Sequence, residues 1–194
     1  MAPDDPIALF DTWYQRARAA GIDKPNAMAL ATAGSDGRPT LRMVLLSSHD
    51  ARGFVFHTNY LSRKGADLTQ SPAASLLFWW DPLGLQVRID GAVERTTAAE
   101  SDAYFAGRPR GAQIGAWASE QSRMIASRAV LEARVVQIAA RYDGQPVPRP
   151  PHWGGYRVLP QVMEFWQDRA DRLHERVRYE RASDGRWRAE LLAP

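Results

Sequence analysis

Towards the end of the chain, Arg172, His174 and Arg176 alternate with Leu173 and Glu175. In an extended segment this period-two spacing puts all three on one face. Three potentially cationic groups side by side repel one another unless an anion or an electron-rich ring lies against them. An exposed, solvent-screened stripe is the competing reading, and spacing alone leaves both open. A second signal is Arg42-Met43-Val44-Leu45-Leu46, in which an arginine enters an apolar strand. Alternation sets Arg42 opposite Met43 and Leu45, facing either solvent or a ligand groove. A third is His57-Thr58-Asn59-Tyr60-Leu61-Ser62-Arg63-Lys64-Gly65, a strand end running into a helix that Ser62 can cap. Two cations beside the free N–H groups of a helix start form a phosphate cradle. Gln86 lies within the apolar strand Leu85-Gln86-Val87. A buried amide needs partners, which a ring bearing carbonyls and nitrogens would supply.

These residues must be positioned by elements legible in the same way. Asp5-Pro6 reads as an N-cap followed by a first-turn proline. Ile7, Phe10, Trp13, Tyr14 and Ala17 then recur at helical spacing, with Gly21 to close the helix. Strands are predicted at 27–33, 40–47 and 53–58, with Ser35-Asp36-Gly37 as a turn. A short helix at 62–68 is followed by strands at 74–80 and 85–94. Thr97-Ala-Ala-Glu100 is a capping box, so a helix carries Tyr104 and Phe105. Ser127 is predicted to cap a longer helix ending near Tyr142-Asp143-Gly144, with Leu131, Val135, Ile138 and Tyr142 on its buried face. Residues 144–151 form a proline-rich loop. Strands at 156–167, 172–181 and 187–192 complete the chain, the last two joined at Ser183-Asp184-Gly185. Short strands with tight turns and no βαβ alternation predict a mainly β, α+β fold: an antiparallel barrel with appended helices.

Composition narrows the function. The 194 residues suit a single domain, 1–194, able to bury a real core. There is no cysteine, so disulfide and thiolate chemistry are excluded. No run approaches a membrane span. Met1-Ala-Pro-Asp-Asp-Pro6 lacks the pattern of a secretory leader, so a soluble cytoplasmic protein is expected. With 25 basic and 22 acidic residues, the net charge of +3 is too balanced for a nucleic-acid footprint. It does allow a local arginine pocket for a small phosphate. The seven tryptophans are core packing or the walls of an aromatic ligand site.

Other chemistries find no support. Gly107, Gly111 and Gly115 are spaced unlike a dinucleotide fingerprint. The four histidines, 49, 57, 152 and 174, lack metal-ligand spacing, and no metal site is expected. No serine occupies a nucleophile elbow. Arg108-Pro109-Arg110 reads on its own as a solvated basic loop.

Taken together, the segments resemble the pyridoxamine/pyridoxine 5′-phosphate oxidase family. The resemblance rests on Arg42-Met-Val-Leu-Leu46, Ser62-Arg-Lys-Gly65 and Arg108-Pro-Arg-Gly-Ala-Gln-Ile-Gly-Ala-Trp117. It continues through Ser119-Glu-Gln-Ser122, Trp153-Gly-Gly-Tyr-Arg157, Glu164-Phe-Trp-Gln167 and Arg172-Leu-His-Glu-Arg176. These run in order from about Asp5 to Pro194 and are specific as a set. The resemblance implies an FMN-binding split barrel, a homodimer with flavin at the subunit interface. It assigns Arg42, Arg63 and Lys64 to the FMN phosphate, and Met43, Val44, Leu45, His57 and Thr58 to the flavin's surroundings. Gln86, Gln121, Ser122, Trp166 and Arg176 would complete the cofactor site. Arg172 and His174, with Leu173 between them, would meet the substrate ring as the catalytic pair. Tyr104 and Arg108 would hold its phosphate. The implied reaction passes a hydride equivalent from substrate to flavin and then to O2, giving hydrogen peroxide.

Three positions depart from that pattern. Ser47 stands where the family supplies a phosphate-binding lysine, Ala112 where a serine is common, and His57 where a tyrosine is common. Losing the lysine removes a full charge, whereas Ala112 deletes one neutral hydrogen bond, worth about 0.5–1.5 kcal/mol. Two further readings therefore stand beside the vitamin oxidase. One is a related flavin oxidase of another aromatic or dihydroaromatic compound, as in phenazine biosynthesis. The other is a non-catalytic binder of flavin or pyridoxal phosphate, against which Arg172 and His174 both argue.

Overall fold

The computed structural model describes residues 5–194. Met1–Asp4, on which the leader reading partly rests, lie outside the described residues. Asp5 caps α1 (Pro6–Ala19), its carboxylate accepting from the Ile7 N–H at 2.8 Å. Phe10, Trp13 and Ala17 form its buried stripe, and Gly21 leaves the helix at φ +72°, a left-handed turn suited to glycine.

The strands are β1 (Ala27–Ala33), β2 (Pro39–Asp50), β3 (Gly53–Asn59), β4 (Ala73–Trp80), β5 (Leu85–Arg95), β6 (Trp153–Gln167), β7 (Glu175–Arg181) and β8 (Trp187–Leu192). The helices after α1 are α2 (Arg63–Gln70), α3 (Ala98–Ala106), α4 (Arg110–Ala118) and α5 (Arg128–Arg141). Every strand pair is antiparallel, in the order β3-β2-β1-β4-β5-β6-β7-β8. A further β3–β6 pairing closes six strands into a barrel, and β7 and β8 extend beyond it. Closure removes the exposed edges of those six strands. The barrel interior is filled by Leu30, Phe54, Phe56, Leu76, Phe78 and Ile89, all fully buried. Phe10 of α1 packs into it, edge-on to Phe54 at 4.8 Å and Phe78 at 5.0 Å. A second, smaller cluster joins Phe105, Ile114, Tyr142, Val147 and Trp153 between α3, α4, α5 and the start of β6.

Three local expectations are corrected. The strand predicted from Arg172 begins only at Glu175, because Ala170–Arg172 makes a 3-10 turn with Asp171 at φ +57° and Arg172 at φ +61°. Helix α5 does not bury the predicted face: Ile138 and Tyr142 pack, whereas Val135 is exposed and Leu131 only half-buried. Its apolar packing is concentrated in the C-terminal turns. Ser127 occupies the N-cap position, but its side chain makes no capping bond. Helix α4 was not anticipated. Two glycines lie within it, and Pro109 at its N-cap gives no side-chain cap, so the usual start signals are missing.

Candidate active site

Thirteen of the sequence-predicted residues line one cleft of about 510 Å³. Its cationic end is built on the start of α2. The Ser62 hydroxyl accepts from the Gly65 N–H at 3.4 Å and donates to the Asn59 carbonyl at 2.7 Å, which fixes the turn presenting Arg63 and Lys64. Lys64 Nζ donates to Gln121 Oε1 at 2.9 Å and to the Thr58 and Ser62 hydroxyls at 3.2 Å each. All three acceptors are neutral. Burial, with Arg42 nearby, lowers the Lys64 ammonium from its usual 10.5 to about 8.

Arg42 sits opposite Met43 and Leu45 as alternation requires, in register with the core residue Leu30. Its guanidinium donates to the Leu30 carbonyl at 3.1 Å, the Thr32 hydroxyl at 2.7 Å and the Thr40 hydroxyl. It therefore lines the cleft without lying on a solvated sheet face. Asp67 stands 3.9 Å from Arg42 and 3.3 Å from Arg63. Burial works to raise the Asp67 pKa, but hydrogen bonds from Thr32, Thr40 and Arg63 outweigh it and hold the carboxyl below its usual range. Arg42 and Arg63 thus share one carboxylate while Lys64 has neutral partners, and the surplus of two positive charges suits a phosphate dianion. Met43, Val44 and Leu45 supply an apolar wall beside it, and Ser122 a polar one.

The other end of the cleft is aromatic. His57 stacks on Tyr104 with centroids 3.9 Å apart and planes at 6°, and on Trp153 at 5.3 Å and 16°. Its Nδ1 lies 2.9 Å from the Ser47 hydroxyl, and its buried Nε2 has no partner. Burial first, and Arg108 second, push the imidazole down to about 4, so it is neutral at pH 7. Arg108 lies over Trp153 at 4.6 Å. Burial lowers its pKa, and its Nη1 is buried without a partner. Ala112 lines an adjoining cavity of about 330 Å³ that shares His57, Thr58, Arg108 and Trp153. Arg110 is occupied elsewhere, donating to the Gln145 and Tyr142 carbonyls, and so does not replace the absent lysine. The basic tripeptide is thus not a solvated loop: its first arginine is half-buried at the cleft and its last anchors α4 to the turn after α5. Trp153 is the lining residue sequence reasoning missed. The available signal was an aromatic followed by Gly154 and Gly155, where Cβ atoms would run into the Tyr60 and Thr96 side chains.

The remaining predicted residues form a second group that does not line this cleft. Trp79, Gln86, Trp166 and Arg176 are successive register partners across β4, β5, β6 and β7, so they share one face. Trp79 meets Trp166 edge-on at 5.9 Å, and His174 tilts onto Trp166 at 4.4 Å. The proposed stripe of three like charges is not formed. His174 Nδ1 lies 3.0 Å from Asp168. Arg176 is paired with the buried Glu164 at 2.7 Å, which also binds Arg88 at 3.0 Å. Arg172 and Leu173 are exposed on the turn. Ser122 in the cleft, Asp171 and Arg172 are the non-glycine residues with positive φ among the described residues. Such strain concentrates at functional sites.

Residues 15–142 match the family described as pyridoxamine 5′-phosphate oxidase. The chain belongs to that family. Residues 153–194 match the pyridoxine 5′-phosphate oxidase C-terminal dimerisation region. Among similar proteins, the pyridoxine/pyridoxamine 5′-phosphate oxidase of Myxococcus xanthus is 55% identical over 194 residues, covering all of this chain and 94% of its own. That of Burkholderia multivorans is 57% identical over 195 residues, covering 100% and 91%. Among solved structures, PhzG from Burkholderia lata 383, in complex with tetrahydrophenazine-1-carboxylic acid, superposes with a TM-score of 0.94 at 40% identity, covering 100% of this chain and 94% of that one. An FMN-binding protein from Nostoc punctiforme shares the fold at TM-score 0.78 and 18% identity. These likenesses make the protein an oxidoreductase of the pyridoxamine 5′-phosphate oxidase type. Among the described residues, no helix is long and apolar enough to cross a membrane.

Proposed function

We propose that this oxidoreductase is a single-domain, homodimeric, cytoplasmic FMN enzyme that oxidises pyridoxine or pyridoxamine 5′-phosphate to pyridoxal 5′-phosphate. The observation that carries the reading is the pair of anion-ready ends in one cleft. The Arg42-Arg63-Lys64 end, with its surplus charge and a lysine lacking a carboxylate partner, would hold the FMN phosphate. Arg108, with an unpartnered buried Nη1, would hold the substrate phosphate beside Tyr104. Thr58, Gln121, Ser122 and the Met43–Leu45 wall would line the flavin between them. When bound, FMN supplies the redox chemistry, taking a hydride from the substrate carbon and passing two electrons to O2 to give hydrogen peroxide.

The second group, Gln86, Trp166, Arg172, Leu173, His174 and Arg176, would complete the site from the partner subunit. Support comes from its place outside the cleft, from the dimerisation region over 153–194, and from the outer face of β2. There Leu41, Met43 and Leu45 are 71%, 65% and 49% exposed, an apolar stripe suited to an isologous contact.

A second reading has its own observation. Ser47 and Ala112 leave Arg108 as the cation at the aromatic end, which fits a singly charged carboxylate as well as a phosphate, and PhzG is a close structural relative. Anaerobic mixing decides between them. Bleaching of the flavin by pyridoxine or pyridoxamine 5′-phosphate supports the first reading. Bleaching by a dihydroaromatic carboxylate alone supports the second.

A further inference from the structure

The pairing of β2 with β3 slips at one point. Leu46 opposes Phe56, Ser48 opposes Val55, and Ser47 is the extra residue between them. Ser47 keeps the parity of Met43 and Leu45 and lines the cleft with them, at the point where the bulge loosens the pairing. Its hydroxyl meets His57 Nδ1 at 2.9 Å. The histidine cannot turn freely, because Tyr104 lies flat against it at 3.9 Å and Trp153 at 5.3 Å.

Two proton arrangements satisfy the Ser47–His57 contact. If Ser47 donates to Nδ1, the proton sits on Nε2 and a buried N–H is left without an acceptor. If Nδ1–H donates to Ser47, Nε2 carries only a lone pair. Orphaned buried N–H groups are rarer than under-satisfied acceptors, which favours the second arrangement. The charged groups acting on the ring agree. Arg108, before the start of α4, and Arg149, on the proline-rich loop, outnumber Glu100 of α3. A net positive field favours a lone pair over an N–H at Nε2. A hydroxyl that accepts from Nδ1–H must direct its own single proton elsewhere.

We propose that His57 and Ser47 form a directed donor pair, in which His57 Nδ1–H binds Ser47 Oγ and so aims the Ser47 O–H into the cleft, at an acidic oxygen of the substrate beside Arg108. Ser47 is then a substrate-binding residue and His57 a positioning residue acting through it. This end of the cleft recognises a phosphate or carboxylate by one guanidinium and one oriented neutral dipole. The identity of the acidic group rests on the function proposed above; the orientation of the pair does not.

The orientation is read directly by 15N-resolved imidazole NMR of the FMN-loaded protein near pH 7, with His57 assigned through His57→Phe. The expected result is a neutral ring held in the Nδ1–H form, with that preference lost in Ser47→Ala. An Nε2–H ring in the wild type, or a His57 spectrum indifferent to Ser47→Ala, overturns the proposal. The consequence for binding is read with pyridoxine 5′-phosphate, with pyridoxine, and with benzoate as a competing carboxylate. Ser47→Ala and His57→Phe should each weaken the acidic ligand by roughly three- to tenfold, in KM rather than kcat. The double variant should lose no more than the worse single one, and Ser47→Thr should restore binding. Additive losses overturn the proposal, as does equal weakening of pyridoxine. If the wild type turns over neither vitamin, the proposed function falls, and the NMR result still decides the pair. FMN content and melting temperature distinguish a misfolded His57→Phe, in which case Ser47→Ala and Ser47→Thr carry the test.

Discussion

Lys64 is the cation whose environment makes the sharpest prediction. Its ammonium is depressed to about 8 in the FMN-free chain by burial and by Arg42. A bound phosphate dianion favours the charged form. FMN affinity is therefore expected to be flat between about pH 7 and 8 and to fall above it, by up to about tenfold per pH unit. Fluorescence titration between pH 7 and 9.5 measures this, and Lys64→Met should abolish the slope while weakening FMN at pH 7. Folding of the FMN-free chain runs the opposite way. The unfolded state keeps the proton until about 10.5, so this group adds stability as pH rises through the window between the two values. For Arg172 and His174, alanine substitution should slow flavin reduction at least tenfold by stopped flow while FMN stays bound; an unchanged rate removes them from the substrate site. The α2 cradle was legible because cap and cations are adjacent in sequence. The geometry of Arg172 and His174 was not, because two consecutive left-handed residues break a period that the letters alone suggest is extended.

Elements explain why some predicted residues make contacts other than those expected. Arg176 was expected to repel its neighbours, yet Glu164, two strand positions before Trp166, is buried and holds it. Cross-strand partners of that kind depend on register, which no short window of sequence contains. Arg176→Met should leave Glu164 with Arg88 alone and destabilise the FMN-free protein by about 1–3 kcal/mol, measured by urea denaturation. Loss of FMN beside that shift is expected if Arg176 also reaches the cofactor across the interface, and an unchanged midpoint would remove the structural role. The barrel itself was nearly complete on the page: β1 and β8 fall at the predicted residues, and the capping box of α3 forms as written. Helix α4 escaped because glycines and an N-terminal proline offer no local signal. On α5, apolar spacing revealed a face that can be covered, but not how much of it is.

At the scale of the molecule, β2 is expected to bear on assembly as well as on the cleft. Leu41 is exposed on its outer face and does not line the cleft. Leu41→Glu is expected to shift sedimentation from dimer to monomer and to release FMN with it; a flavin-loaded monomer would separate the two properties and contradict the shared site. The division of predicted residues into two groups, only one of which reaches the cleft of its own chain, has a further consequence for mixed populations. A chain carrying Lys64→Met and a chain carrying His174→Ala are each expected to be strongly impaired as homodimers. If the site is shared as proposed, co-refolding gives some hybrids in which one site takes both damaged halves and the other takes both sound ones. Random assortment makes half the dimers hybrid, so two impaired preparations should together recover about a quarter of wild-type activity. If each chain completed its own site, complementation of this kind would be absent, because every site in every mixture would carry one lesion.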